Sequence, residues 1–193
     1  NMIFAKLIGV KSALGFKVRT VQFFKKTQVD YAGQKYEAES LLDLLRENRI
    51  SVPKIEYDFN ISESHKRKVA DLLKNKWVNL KKNDLVVVIN PGGKREANRW
   101  PSEKFGEIGK YLQEKYGAKI IIIGGKVDLP RAEIIQRFLD PTETLVLAAQ
   151  LELLEIIELL KRSGFLVSND TGAVHMAVAI NLPFVGLYGV RNV

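Results

Sequence analysis

The chain of 193 residues carries a formal charge of +8 and is 46% hydrophobic, so it can bury one sizeable core, or one full domain and part of another. It has no cysteine, which excludes disulfides and cysteine-based metal sites or nucleophiles and suits a reducing compartment. No apolar run approaches the roughly 18 residues of a membrane span, and no signal-peptide pattern occurs. The sequence therefore predicts neither a transmembrane segment nor an export signal.

The positive charge is concentrated in the first part of the chain. Residues 1–84 contain 17 lysines and arginines against 10 acidic residues, whereas residues 85–193 contain 13 against 12. A basic excess raises nucleic-acid binding as one hypothesis, but the excess lies in the part without a sheet pattern, and no DNA- or RNA-binding motif occurs. We therefore expect no nucleic-acid partner.

The first part of the chain shows no complete alternation of strands and helices. Amphipathic spacing predicts a helix at 36–48, an extended stretch follows at 54–62, and Ser62 then begins a charged helix. We interpret 1–52 as the remnant of one domain and 53–84 as a linker with a helix that leads into the next domain.

From residue 85 onward, short apolar runs alternate with amphipathic segments. The runs predict buried strands at 85–89, 119–123, 145–147, 165–167 and 184–188. The segments between them predict helices at 102–116, with Ser102 as N-cap, at 129–139 and at 151–162. Strands that are apolar on both faces and alternate with helices are typical of an α/β fold with a doubly wound parallel sheet. Residues 85–193 are therefore predicted to form a Rossmann-like domain.

Glycines and charged residues follow the predicted strands. Gly92 and Gly93 come after the first strand with three cations, Lys94, Arg95 and Arg99, and a Gly-Gly pair with Asp128 comes after the second. Ligands of open parallel sheets bind at this carboxyl edge. Backbone N–H groups, cations and a helix N-terminus together suit a phosphate or pyrophosphate. Asp128 is a candidate for holding a ribose hydroxyl pair.

The stretch "FLVSNDTGAVHMAVAI" (165–180) ends an apolar strand in a polar cluster, with a histidine one helical turn further on. Each part also has an ordinary structural explanation. Asp170 or Thr171 could only cap the next helix, and His175 could be a satisfied core histidine. The cations could form a solvated loop and the Gly-Gly pairs a tight turn, since neither pair forms a dinucleotide or P-loop motif. Trp100 is predicted to anchor its loop onto the domain.

Three segments together resemble glycosyltransferase family 9, the heptosyltransferases of lipopolysaccharide core synthesis and their relatives. They are "VVVINPGGKREANRWPSEKFGEIGKYL", "IIIIGGKVD" and "FLVSNDTGAVHMAVAINLPFVGLYG". The Asn-Asp-Thr-Gly-x-x-His block places Asp170, Thr171, Gly172 and His175 at the positions of the family pattern. "LIGVKSALGF" and "YEAESLLDLLREN" extend the resemblance to the first part of the chain.

The resemblance implies the GT-B arrangement of two facing Rossmann-like domains, of which residues 85–193 would be the C-terminal, nucleotide-sugar donor-binding domain. The donor would typically be ADP-heptose, and the acceptor a lipid-linked lipopolysaccharide core saccharide. Transfer would be inverting and metal-independent, without a cofactor. Backbone amides of Thr171 and Gly172 would hold the pyrophosphate, with His175 close to it. Asp170 would contact the sugar or orient the loop.

The resemblance also implies a location and a partner surface. The family works in the cytoplasm, at the inner face of the inner membrane. The basic segment 1–26, interleaved with Phe4, Phe16, Phe23 and Phe24, would then face an anionic membrane or its lipid-linked acceptor. The alternative is that these aromatic residues belong to the core of the N-terminal domain.

Two departures from the family pattern bear on activity. Asn98 stands where the family often has lysine, so that Arg99, or Lys94 and Arg95, would have to supply the phosphate contact. The chain is also expected to begin near the end of the family's N-terminal domain and to stop just after the last recognised strand. The general base would then lie in the missing N-terminal part, and the chain alone would lack it. The alternative function is a non-catalytic nucleotide-binding module or a degenerate paralogue.

Overall fold

The computed structural model describes residues 15–16, 28–29, 42–43, 45–47, 49–52, 56–81 and 83–189. The chain divides between Ile55 and Glu56 into two compact units. In the first unit, strands β1 (Gly15–Phe16) and β2 (Gln28–Val29) pair in parallel. Residues 42–43 and 45–47 are helical, within the predicted helix 36–48. Phe4, Phe23 and Phe24 of the predicted membrane-facing segment lie outside the described residues.

The second unit contains a five-stranded parallel sheet in the order β5-β4-β3-β6-β7. Its strands are β3 (Val86–Asn90), β4 (Lys119–Ile122), β5 (Thr144–Val146), β6 (Phe165–Asn169) and β7 (Phe184–Leu187). Its helices are α1 (Glu63–Lys76), α2 (Ser102–Tyr116), α3 (Leu129–Gln136), α4 (Leu153–Lys161) and α5 (Gly172–Ala179). The strand order reverses at β3, so the predicted doubly wound, Rossmann-like sheet is confirmed.

Helices cover both faces of this sheet. One buried cluster joins β-strand residues to α1, α4 and α5, and the other joins them to α2 and α3. Strand β3 serves both faces, since Val86 and Val88 belong to the first cluster and Val87 and Ile89 to the second. Because alternate residues of a strand point to opposite faces, a strand buried on both sides has to be apolar throughout.

Helix α1 is part of this unit rather than a separate connection before residue 85. Val69, Leu73 and Trp77 lie in the core cluster, and the Trp77 indole N–H donates to the carbonyl of Thr142 at 3.0 Å. Their spacing of four residues puts all three on one helix face. The unit therefore begins at Glu56, earlier than the predicted boundary at residue 85.

The helix starts show one confirmed prediction and one correction. Ser62 is the N-cap of α1, and the ring Nδ1 of His65 accepts a hydrogen bond from the Ser62 backbone N–H at 3.3 Å. Ser102 is not the N-cap of α2: Pro101 occupies that position and Ser102 is the buried first residue of the helix.

Within the described part of the chain, no helix has the length and apolarity needed to cross a membrane.

Candidate functional site

A cavity of about 400 Å³ lies where the strand order reverses, outside the carboxyl ends of β3, β4 and β6. Its wall divides into two chemically different parts. The polar part is formed by the loop after β3 and the start of α5, and the apolar part by side chains that follow β4 and β5 together with two side chains from the first turns of α5. The lining residues of the apolar part are Ile123, Val127, Ile156, Ala173 and Met176.

Six of the eight residues that the sequence predicts as donor-binding line this cavity. They are Gly92, Gly93, Asp128, Asp170, Thr171 and Gly172. The other two, Arg99 and His175, are not among the lining residues. His175 is exposed on α5, one turn after Thr171, so it is not a buried core histidine. Of the loop cations that the sequence offers, Lys94 lines the cavity.

Thr171 connects the loop after β3 with the start of α5. Its hydroxyl accepts hydrogen bonds from the Asn90 side-chain amide at 2.9 Å and from the Ala173 backbone N–H at 3.3 Å. Asn90 in turn accepts from the Gly92 backbone N–H at 3.2 Å. Thr171 is thus the N-cap of α5, as the structural alternative predicted, while it also faces the cavity. The positive end of the α5 dipole is therefore directed at the polar part of the wall, where it favours an anion.

Asn169 is a positioning residue that the sequence analysis did not identify. It is 1% exposed, and its side-chain amide donates to the carbonyls of Pro91 at 2.9 Å and Gly92 at 3.1 Å. Its Oδ1 accepts from the Trp100 backbone N–H at 3.0 Å. The available signal was its place at the end of a buried strand, where a polar side chain needs partners. Asn169 holds both ends of the loop 91–100 against β6.

The Asp128 carboxylate lies against the backbone of Gly92 and Gly125. Its carboxylate accepts from the Gly125 backbone N–H at 3.0 Å and pairs with Arg131 at 3.3 Å. A Cβ atom on Gly92 would lie 2.8 Å from Asp128 Oδ2, which explains why the loop has glycine there. The carboxylate therefore holds the turn after β4, and its predicted contact with a ribose stays a prediction.

Arg99 faces a second cleft, of about 440 Å³, on the other side of the loop 91–100. Its Nε donates to the carbonyl of Gly93 at 2.8 Å. The Arg99 side chain therefore holds the backbone of the loop 91–100 in place. Asn98, Trp100 and Tyr188 line the same cleft. The Trp100 ring packs edge-on against Phe105 at 5.3 Å, in agreement with the predicted anchor role.

Within the described ranges, no group of three or more His, Asp or Glu side chains is arranged to hold a metal ion.

A parallel α/β sheet with a polar and apolar cavity at its switch point has this cavity where open sheets of the class bind their ligands. The family model for glycosyltransferase family 9 (heptosyltransferase) matches residues 3–193. The chain belongs to this family.

Curated relatives match about half of the chain. Lipooligosaccharide heptosyltransferase 2 of Haemophilus influenzae is 32% identical over 97 residues, and that of Haemophilus ducreyi is 36% identical over 98 residues. Each match covers 48% of this chain and 28% of the relative. Lipopolysaccharide heptosyltransferase 2 of Escherichia coli is 30% identical over 96 residues, which cover 48% of the chain and 27% of that protein.

Solved structures share the fold over a larger part of the chain. A glycosyl transferase family 9 protein from Veillonella parvula superimposes with a TM-score of 0.72 at 21% identity, covering 98% of this chain and 55% of that one. ADP-heptose LPS heptosyltransferase II of Escherichia coli has a TM-score of 0.59 at 24% identity, covering 73% of this chain and 42% of that one. The chain thus spans about half the length of these structures.

Proposed function

We propose that the chain carries the donor-binding part of a heptosyltransferase, which transfers heptose from ADP-heptose to a lipopolysaccharide core acceptor. Family membership supports glycosyl transfer, and the named activity of the curated relatives supports heptose as the sugar. A heptosyltransferase of the fold, WaaC of Escherichia coli, has been solved with ADP-2-deoxy-2-fluoro heptose, which supports an ADP-sugar donor.

The observation that carries the proposal is the two-part wall of the cavity. The polar part offers glycine backbone, Lys94 and the start of α5, which suit a pyrophosphate. The apolar side chains that follow β4 and β5, which are Ile123, Val127 and Ile156, suit a planar base. A volume of about 400 Å³ lies within the range of small-molecule sites. A nucleoside diphosphate combines the two matching groups, a charged pyrophosphate and a planar base.

The proposed reaction is a single displacement at the anomeric carbon of the sugar. The acceptor hydroxyl oxygen forms the new bond to this carbon as the bond to the phosphate oxygen breaks, which inverts the configuration. The leaving nucleoside diphosphate keeps the electron pair, and its growing charge is stabilised by the α5 N-terminus and by Lys94. The step assigned here uses no metal ion. A general base in the N-terminal domain of the family takes the proton of the acceptor hydroxyl.

Two further residues and the surroundings complete the proposal. Asp170, at the polar part of the wall, contacts the sugar or orients the loop, and His175, one turn into α5, lies close to the pyrophosphate. The acceptor is a lipid-linked saccharide, and the protein works in the cytoplasm at the inner face of the inner membrane. The basic segment 1–26 is proposed as the part that approaches the anionic lipid.

The test is calorimetric titration of the protein with ADP, UDP, GDP and NAD, alongside the variants Asp170→Ala and His175→Ala. We expect selective binding of ADP, weakened by both substitutions. Transfer of heptose from ADP-heptose to a core acceptor by the protein then tests the activity. ADP binding without transfer would favour the non-catalytic module, and no nucleotide binding by the folded protein would contradict the proposal.

A further inference from the structure

Lys68 lies on α1, in the part of the chain that precedes the sheet, and is not one of the predicted site residues. Its Nζ donates to the backbone carbonyl of Gln150 at 3.2 Å and pairs with Glu155 Oε2 at 2.8 Å. Gln150 belongs to the loop after β5, and Glu155 to the first turn of α4. One side chain of α1 thus joins two segments that lie behind the apolar part of the cavity wall.

The first turn of α4 depends on Lys68 for charge compensation. The side chain of Glu155 is only 6% exposed, and its Oε2 also accepts from the Glu152 backbone N–H at 2.8 Å. A buried carboxylate without a countercharge is strongly unfavourable. The next residue, Ile156, lines the cavity. Lys68 therefore stabilises the position of the α4 turn from which Ile156 extends.

The loop after β5 contains a residue with a positive φ angle. Ala149, next to Gln150, adopts a left-handed conformation with φ of 62°, which is unfavourable for a residue other than glycine. Its N–H donates to the carbonyl of Gly124 at 2.9 Å, and Gly124 lines the cavity. Since Lys68 binds the carbonyl that follows Ala149, it supports this conformation and, through it, the turn after β4.

We infer that Lys68 is a positioning residue for the nucleoside end of the cavity, holding the α4 turn and the loop after β5 in the arrangement that receives the base and ribose. The polar part of the wall depends instead on Asn90, Asn169 and Thr171, none of which Lys68 contacts. Lys68 therefore acts on the nucleoside and leaves the pyrophosphate contacts unchanged. This inference rests on the proposed nucleotide-binding function.

The test compares ADP with inorganic pyrophosphate as separate probes of the two ends. The protein and its variant Lys68→Met are titrated with each by calorimetry or ligand-observed NMR. We expect Lys68→Met to weaken ADP binding about tenfold, which equals about 1.4 kcal/mol. Pyrophosphate affinity should stay within twofold of the wild type. Lys68→Arg, which keeps the charge and the donors, should restore ADP binding.

Two further variants make the comparison specific. Lys66→Met is the matched control, since Lys66 pairs at 2.7 Å with the exposed Glu63 of its own helix and should leave both affinities unchanged. Glu155→Gln removes the charge that Lys68 balances, keeps an acceptor for the Glu152 N–H, and should reproduce the selective loss of ADP affinity. It serves as the second test if Lys68→Met does not fold.

The outcomes separate this inference from the proposed function. Unchanged ADP affinity in both Lys68→Met and Glu155→Gln would overturn the inference alone. An equal loss of ADP and pyrophosphate affinity would also overturn it, because that pattern indicates a general loss of structure. Absence of ADP binding by the wild-type protein would overturn the proposed function and the inference with it.

Discussion

Gly172 opens helix α5 at the mouth of the cavity, and a side chain there would have room. A Cβ atom on this glycine would contact only the Met176 Cε, at an ordinary distance of 3.9 Å. The backbone conformation is helical, so alanine meets no strain in φ. Gly172 therefore tests whether a ligand approaches the backbone at this point, because substitution adds a methyl group without disturbing the protein.

We expect Gly172→Ala to leave the melting temperature at or slightly above that of the wild type, since alanine favours helix over glycine by up to about 1 kcal/mol. ADP affinity should fall at least about tenfold, because the added methyl group displaces the phosphate from the helix N-terminus. Thermal melting and calorimetry of the same samples measure both. An unchanged affinity would show that no phosphate approaches Gly172.

At the same residue scale, the sequence predicted the residues that line the cavity better than the residues that position them. Gly92, Asp170 and Thr171 were recognisable because glycine and polar residues after a buried strand are typical of ligand loops. Asn169 was read as part of the loop, yet it is the last residue of β6 and is buried. Its three partners come from residues about 70 to 80 positions away, and sequence spacing does not reveal such contacts.

At the scale of elements, the segment that follows α3 approaches helix α2 closely at two glycines. A Cβ atom on Gly106 of α2 would lie 2.5 Å from the Phe138 ring, and one on Gly109 would lie 2.7 Å from a Leu139 methyl group. Both glycines are buried in the middle of a helix that otherwise has good helix formers. Glycine weakens a helix, so its presence here is explained by the packing against the residues that follow α3.

We expect Gly106→Ala to lower the free energy of unfolding by about 1–3 kcal/mol, because the Phe138 ring has to move out of a close-packed site. Urea unfolding at equilibrium measures the difference. Glu107→Ala, at the neighbouring exposed position, is the control and should change stability by less than about 0.5 kcal/mol. If Gly106→Ala is as stable as the wild type, the close contact with Phe138 does not determine the choice of glycine.

Strands and helices were well predicted where local pattern decides them. Helix α2 has the predicted bounds, and each predicted strand of the second unit is present within one or two residues. The start of α2 was predicted less well, because Ser102 is an intrinsically good N-cap but is buried as the first helical residue. Tertiary burial decided that position, and local propensity does not include it.

At the scale of the whole unit, the ion pair between α1 and α4 makes stability depend on pH. Burial alone raises the pKa of Glu155, but the hydrogen bonds from Lys68 and the Glu152 backbone, with the charges of Lys68 and His65, outweigh it and hold this pKa below its ordinary value. The folded protein therefore releases this proton at a lower pH than the unfolded chain. The resulting stabilisation is fully present above the unfolded pKa of about 4.3 and is lost as the pH falls through the folded pKa.

We expect the unfolding free energy of the wild type to fall more steeply with acidification below about pH 5 than that of Glu155→Gln. The comparison cancels the other carboxyl groups, since they are the same in both proteins. Urea unfolding at a series of pH values measures the two curves. Parallel curves would show that the pKa of Glu155 is the same in the folded and unfolded states.

The extent of the unit was the part of the overall architecture that sequence predicted least well. Residues 85–193 show the alternation of strands and helices, whereas α1 is a charged segment whose inward face consists of a few widely spaced apolar residues. Val69, Leu73 and Trp77 are buried because they pack against the sheet. Periodicity predicts that such a helix forms, but the partner of its apolar face becomes visible only in the folded structure.

The alternating packing of β3 has a practical consequence for protein engineering. Since Val87 and Val88 belong to opposite core clusters and Asn90 ends the same strand at the cavity, substitutions along β3 alter stability and ligand affinity together. A library that diversifies this strand would lose most members to misfolding before selection. Val127, which is 74% exposed, and the partly exposed Met176 border the same cavity outside the sheet. Diversity for altered ligand preference is better placed at these two positions.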